Sequence, residues 1–366
     1  MIITAPRNIL CEAVANLSRV VSSKMTIPVL EGILITAENG EITLSSYNLE
    51  NGLTKKIEAK IEKPGQIVIS AKVLNGILHS LNGENVTITA DDRLMCHIES
   101  GTAVFDIMGM AAVDFPEIPT IAEGKRVSIT AGILKDMVRQ TIFAVAPTEG
   151  TRPILTGINF ELDEGSLKLV AIDGYRLAIR KEKVNINETM NFVVSGKAVN
   201  EIIKIVSDED AEIGLYIGRR HICFEVEGYT FISQLLDGEF IDYKKTIPGS
   251  YTQRLTVNVR DLIEIIERIS LIISDNFTTP VRCIINENET VFSCATSVGR
   301  ATERAALSLE GEPFEIGLNS KYLLEALRAC DYENVNISFN GGSAAVVITP
   351  ENDDTFTYMI MPMRLK

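Results

Sequence analysis

Residues that most often carry catalysis or bind metals are scarce in this chain of 366: three histidines (His79, His97, His221) and six cysteines. The cysteines, at 11, 96, 223, 283, 294 and 330, form no C-x-x-C pair and no short Cys/His spacing. That points away from a zinc site and toward reduced thiols, with no metal or other cofactor expected. No apolar run approaches the ~18 residues of a membrane helix. The opening MIITAPRNIL lacks a basic region followed by an apolar run, so no signal peptide is read there and a cytoplasmic protein is expected. Positive charge is in deficit: 35 Lys and Arg stand against 49 Asp and Glu, a net charge of −14. This argues against a surface that is basic all over but leaves room for a local basic channel. At 46% hydrophobic residues the chain has material for a packed core, and disorder is not expected.

What is present is a repeat. Residues 153–178 read PILTGINFELDEGSLKLVAIDGYRLA, two or three short strands joined at Glu164-Gly165 and Asp173-Gly174, both hairpin turn signals. The same kind of stretch begins at Pro28 and, degenerately, at Pro280. The steps, 153 − 28 = 125 and 280 − 153 = 127, exceed any solenoid unit and have the size of a domain. Three domains are therefore expected, at 1–124, 125–250 and 251–366, with DFPEIPTIAEGK and EFIDYKKTIPGS as linkers. Helical spacing of apolar residues predicts helices over 7–21, 71–81, 134–143, 196–206, 260–273 and 320–329. Each domain thus reads as a duplicated strand-helix-strands unit, an α+β arrangement of antiparallel sheets with helices on one side. Strands at a sheet's end are expected to pair with the neighbouring unit, which removes an exposed edge.

Aligned on their second helices, the units read VISAKVLNGILHSL, VVSGKAVNEIIKIV and GLNSKYLLEALRAC. Lys72, Lys197 and Lys321 coincide, and seven residues on stand His79, Lys204 and Arg328. Positions i and i+7 share a helix face, so each domain presents one basic stripe while Leu74, Ile77 and Leu78 pack on another face. On a single helix such a stripe is an ordinary solvated face. Three copies imply a lining for a polyanion, held through its phosphates by counterion release and without base reading. Packed helices stand ~8–10 Å apart, so six in a circle leave a hole too narrow for duplex DNA, whereas twelve leave ~25–30 Å. A ring built from this chain is expected to be a homodimer closed head to tail.

The segment IDGYRLA at 172–178 and the terminus MPMRL at 361–365 carry a resemblance that extends over essentially the whole chain. It resembles the bacterial DNA polymerase III beta subunit family, the ring-shaped sliding clamps, in which the first segment is usually TDGHRLA. The resemblance implies two chains closed around duplex DNA, helices inward and sheets outward, with domain one of one chain meeting domain three of the other. It implies a processivity factor without enzymatic activity, which tethers the replicative DNA polymerase. A clamp-loader ATPase opens and places such a ring. These partners, with other polymerases and repair proteins, insert short, partly apolar peptides into a cleft between the second and third domains.

Carried over by position, the cleft takes Leu155, Ile172, Gly174, Tyr175, Arg176 and Leu177 from the repeated stretch. Ile241, Lys245, Thr246 and Ile247 come from the second linker. Asn319, Tyr322, Ile360, Met361, Pro362, Met363 and Arg364 come from the third domain. Two methionines suit an adaptable apolar surface, and Arg176 and Arg364 are expected to hold polar groups at its rim. Without the resemblance, Asp173-Gly174 reads as a turn, Leu177 as core and the methionines as gap fillers. On the DNA side Lys24, Lys72 and Lys197 fall where the family places basic contacts, and Glu149 stands where the family has a Gln contact. Tyr175 replaces the usual His, and Ile241 stands where Pro is common, so peptide preference is expected to differ in detail. Phe105, Leu271 and Ile272 are the candidates for the ring's seam.

Two rival classes fit less of the sequence. An enzyme needs a nucleophile with its base, a metal set or a phosphate loop. Ser70 and Ser195 recur in aligned positions, but where helix N-caps are wanted, and Gly341-Gly342 lacks a phosphate-binding signature. A protein-binding scaffold without DNA keeps the cleft but has no reason to repeat the basic stripe.

Overall fold

The computed structural model describes residues 1–22, 27–121, 124–185, 189–273 and 279–365. The fold is α+β. Its helices are α1 (Arg7–Leu17), α2 (Ala71–Ser80), α3 (Ala131–Arg139), α4 (Gly196–Ile205), α5 (Val259–Ser270) and α6 (Ser320–Arg328). Among the described residues the strands form four sheets of five, eight, nine and four members. By contact the chain divides into two compact units, Met1–Gly132 with Lys197–Leu235, and Ile133–Gly196 with Leu236–Lys366.

The first unit holds the five- and eight-stranded sheets. The smaller one runs Lys60–Lys63, Ile2–Pro6, Asn85–Ala90, Met95–Ser100, Ala103–Met108. In the larger, strand Asn51–Glu58 lies antiparallel to Tyr229–Gln234, so strands far apart in sequence share one sheet. The second unit repeats this device. In its nine-stranded sheet Arg176–Lys183 lies antiparallel to Phe356–Ile360, and its four-stranded sheet runs Arg300–Ala305, Thr290–Ala295, Val281–Ile285, Phe314–Leu318. These are the cross-repeat pairings that the need to cover strand ends predicts.

The repeat is metrically regular in its first two copies. Single 3-10 turns at Pro28–Glu31 and Pro153–Thr156 open them, each with proline at its start, where a missing N–H costs nothing. Strands Gly32–Glu38, Glu41–Tyr47 and Asn51–Glu58 then correspond to Gly157–Asp163, Ser166–Ile172 and Arg176–Lys183, every step being 125 (157 − 32, 166 − 41, 176 − 51). These strands bury much of their length, including Ile33, Ile35, Ile42, Leu44, Phe160 and Leu169, each fully. Burial of one such side chain contributes about 1.5–3 kcal/mol.

Several helices end earlier than their apolar spacing predicts. Helix α1 stops at Leu17 rather than 21, because the Ser18 hydroxyl donates to the Val14 carbonyl at 2.6 Å and the next two N–H groups turn back only three residues. Helix α5 stops at Ser270, where the Leu271 N–H likewise bonds the Arg268 carbonyl. Helix α3 spans Ala131–Arg139, and a separate 3-10 turn, Ile142–Ala144, follows. The buried Thr141 hydroxyl donates back to the Met137 carbonyl at 2.8 Å between them. Ser70 does occupy the N-cap position of α2, but its hydroxyl makes no capping bond. The longer amides of Asn258 and Asn319 do reach the N–H groups of Asp261 and Tyr322, each at 3.2 Å, and cap α5 and α6.

Candidate functional site

In the second unit, the turn after strand Ser166–Ile172 is built by one carboxylate. Asp173 Oδ1 accepts from the backbone N–H of Tyr175 and of Arg176, both at 2.9 Å, and Gly174 takes φ +91°. Such a side-chain closure mimics a backbone turn, and the left-handed position favours glycine. The turn pushes Tyr175 into solvent, 63% exposed. Strand Phe356–Ile360 pairs alongside, and the chain beyond it continues across the turn. The Met361 N–H donates to the Tyr175 carbonyl at 2.8 Å, and the Met363 N–H to the Gly317 carbonyl at 2.8 Å. Gly317 leaves room for this passage: a Cβ there would lie 2.7 Å from the Met363 carbonyl oxygen.

Beneath the turn lies an apolar cluster that includes Leu155, Ile172 and Leu177, with Ile241 and Ile247 packed against it. Sequence positions from the repeated stretch and the second linker therefore do meet. Leu177 and Ile360 are fully buried and form floor rather than surface, while Met361, 41% exposed, stands at the top with Tyr175. The linker is fixed by Tyr243, whose hydroxyl donates to Glu161 Oε2 at 3.0 Å; burial, and then the Glu161 charge, push its phenol pKa up. Lys245 and Thr246 sit exposed on the 3-10 turn Tyr243–Thr246, the former paired with Asp242 at 2.7 Å. Asn319 and Tyr322 open α6 beside the cluster's rim groups, and the Tyr322 ring centroid lies 6.4 Å from that of Tyr175. Arg364 is exposed and lines, with Arg282 and Arg300, a separate depression of about 630 Å³ on the four-stranded sheet.

One expectation for these residues is corrected. Arg176 is not a rim group free to hold a ligand: it is 8% exposed. Its Nε donates to Asp173 Oδ2 at 2.9 Å, a terminal nitrogen donates to Glu325 Oε2, and its guanidinium lies 4.4 Å from the Tyr322 ring centre. A guanidinium at that depth requires paired charge, and the fold supplies two carboxylates and an aromatic face. Neither Glu325 nor Phe143, whose ring centre lies 5.6 Å from the same guanidinium, was singled out by sequence; no local pattern links them to Arg176.

The repeated basic positions are exposed wherever the structure describes them: Lys72 and His79 on α2, Lys197 and Lys204 on α4, Lys321 and Arg328 on α6. Lys24 lies outside the described residues. The second member of each pair is engaged locally. His79 Nδ1 lies 2.9 Å from the Asn75 carbonyl, Lys204 pairs with Glu201 at 3.0 Å, and Arg328 with Glu267 at 2.6 Å. Exposed ion pairs like those of Lys204 and Arg328 are worth about 0–1 kcal/mol, so a polyanion can take these two cations over at little cost. Glu149 is exposed. Among the seam candidates Leu271 is 83% exposed, and Phe105 and Ile272 are half-buried.

Chemistry of other kinds is not assembled. Among the described residues no group of three His, Cys, Asp or Glu side chains is placed to hold a metal ion. The six cysteines are free thiols. Burial pushes Cys96 up to about 11 and Cys223, Cys283 and Cys330 up to about 12, so none of these four is a ready thiolate. No described helix is long and apolar enough to cross a membrane.

Comparison with known proteins bears on the whole chain. Family models of the DNA polymerase III beta subunit match residues 1–119 (N-terminal domain), 128–242 (central domain) and 244–364 (C-terminal domain). The beta sliding clamp of Bacillus subtilis (strain 168) is 32% identical over 374 residues, covering 99% of each chain. Among solved structures, the DNA polymerase sliding clamp from Bacillus subtilis superposes with a TM-score of 0.96 at 30% identity, covering 100% of both chains. The sliding clamp from Pseudomonas aeruginosa bound to griselimycin superposes with a TM-score of 0.93 at 25% identity, again over 100% of both chains.

Proposed function

This chain belongs to the DNA polymerase III beta subunit family, and from that premise we propose that two copies close head to tail into a ring that slides on duplex DNA. The protein is a processivity factor, not an enzyme. It holds the replicative DNA polymerase on its template and is placed there by a clamp-loader ATPase. Replication of the chromosome puts it in the cytoplasm.

The observation that carries the ring is a pair of open sheet edges. Strand Ala103–Met108 ends the five-stranded sheet and strand Arg300–Ala305 ends the four-stranded one. Both sheets are small beside their eight- and nine-stranded neighbours, which are completed by cross-repeat pairing. An unpaired edge is a template for another strand, and exposed apolar side chains stand near both: Val104 and Met108 on the first, Leu271 and Val298 near the second. Pairing of one copy's first edge with the other's second, twice, completes both sheets and closes the ring. The seam then includes Phe105, Leu271 and Ile272. The three repeats, 1–124, 125–250 and 251–366, serve as the ring's three domains per chain, and Lys24, Lys72, His79, Lys197, Lys204, Lys321 and Arg328 face the DNA phosphates.

Partners dock by short, partly apolar peptides on the surface formed by the 173–176 turn, the second linker and the 360–364 segment. Two measurements test this reading. Light scattering is expected to give twice the 40.2 kDa chain mass at micromolar concentration. The ring, once loaded, is expected to stay on circular duplex DNA and to run off linear duplex. Equal retention on both forms contradicts a topological grip.

A further inference from the structure

Around the docking surface one charged cluster is closed upon itself. Arg176 contributes one positive charge, and Asp173 and Glu325 contribute two negative ones, so the cluster carries a net charge of −1. The two carboxylates are not equivalent. Asp173, with a side chain only 7% exposed, also closes the turn through its other oxygen, so it belongs to the backbone architecture. Glu325, 31% exposed on α6, meets Arg176 from 149 residues away and covers the guanidinium on the side that Asp173 does not. The guanidinium lies against the Tyr322 ring, whose centroid is 6.4 Å from that of Tyr175, itself in solvent.

We propose that Glu325 is a specificity-determining residue of the docking surface: by occupying Arg176 it excludes acidic side chains and selects peptides whose residue over the Tyr175–Tyr322 pair is neutral. An incoming carboxylate meets a guanidinium already paired with two carboxylates, and a surplus negative charge that repels it. A neutral amide or apolar side chain meets no such repulsion. Discrimination of this kind works by penalising the wrong partner rather than by adding a contact to the right one. Removal of the Glu325 charge leaves Arg176 balanced by Asp173 alone, with a terminal donor able to bond an acid. A hydrogen bond to a charged group is worth about 1.5–3 kcal/mol, which sets the scale at tenfold or more in affinity.

The proposal rests on the docking reading above, and the test separates the two. Two labelled synthetic peptides carry the same apolar anchors and differ only in Gln or Glu at one position; their affinities for the full-length protein are measured by fluorescence anisotropy. The wild-type protein is expected to bind the Gln peptide better. Glu325→Gln is expected to tighten the Glu peptide about tenfold and to leave the Gln peptide within twofold. Glu325→Asp, which keeps the charge, is expected to keep the wild-type ranking and serves if Glu325→Gln does not fold. A shift of both peptides alike, no shift at all, or a reversed ranking in Glu325→Asp overturns the specificity role while leaving docking intact. Binding of neither peptide by wild type or variants overturns the docking surface itself, and the role of Glu325 with it.

Discussion

The first and second copies of the repeated hairpin have the same construction and different surfaces. In both, an Asx residue closes the turn: Asn48 Oδ1 accepts from the N–H groups of Glu50 and Asn51 at 3.1 and 2.7 Å, as Asp173 Oδ1 does from Tyr175 and Arg176. In both, a segment distant in sequence donates to the residue at the tip. The Gln234 N–H bonds the Glu50 carbonyl at 2.9 Å, and the Met361 N–H bonds the Tyr175 carbonyl at 2.8 Å. The differences lie in what the scaffold displays. Where the second copy has the buried Leu177, the first has Gly52, and a Cβ there would lie 2.8 Å from Ile118 of the first linker. Phe115 and Ile118 of that linker pack onto the first copy's own cluster of Val29, Leu30, Tyr47 and Val68. The first copy is thus filled from within its own linker and carries Glu50 at its tip. The second carries Tyr175 and has Met361 exposed beside it. The duplicated scaffold displays different surfaces through its covering, not through its backbone.

That contrast can be broken experimentally, most severely at the tail. Deletion of residues 361–366 removes the segment that crosses the second turn, and more than hundredfold loss of partner-peptide affinity is expected in a titration. The dimer mass by light scattering stays unchanged. Next in size, Leu177→Ala empties a fully buried site and is expected to cost about 2–5 kcal/mol in denaturant unfolding. The converse change, Gly52→Leu, forces a side chain against Ile118 and Ile232 and is expected to cost about 1–3 kcal/mol by overpacking. If Gly52→Leu proved neutral, the first linker would not be the filling it is taken to be.

The smallest effects sharpen the comparison through sign. Leu49 holds φ +75° at the position where the second copy has Gly174 at +91°. Non-glycine residues in this region carry about 1–3 kcal/mol of strain, offset in part by the lower unfolded-state entropy of leucine. Leu49→Gly is therefore expected to be neutral or stabilising by up to about 1 kcal/mol. Gly174→Ala, with open space around its Cβ, is expected to cost about 1 kcal/mol through the backbone alone. Thermal unfolding of the two variants should shift in opposite directions or, at the least, differ by that amount.

What was legible in the sequence is local. The Glu164-Gly165 turn, the short strands that it joins and the i, i+7 basic pairs are set by neighbours in the chain, and the structure has them within a residue or two. The 125-residue step survives as an identical register of three strands. What was not legible depends on distant partners. Which carboxylate finds Arg176 is decided by how α6 packs beside the hairpin, and Glu325 carries no mark of it. Helix ends were overrun for a local reason instead: apolar spacing continues past Leu17 and Ser270, but side-chain and three-residue backbone bonds stop the helices first. Cross-repeat strand pairing makes two compact units by contact, although the sequence reads as three repeats.

The central claim, that one copy of the scaffold docks partners and its twin does not, is tested most directly by stoichiometry. Calorimetric titration of the full-length protein with a peptide from its replicative polymerase is expected to saturate at one peptide per chain. That site is expected to vanish on deletion of residues 361–366 and to be untouched by Leu49→Gly. Saturation at two per chain, or a site that survives the deletion, contradicts the account.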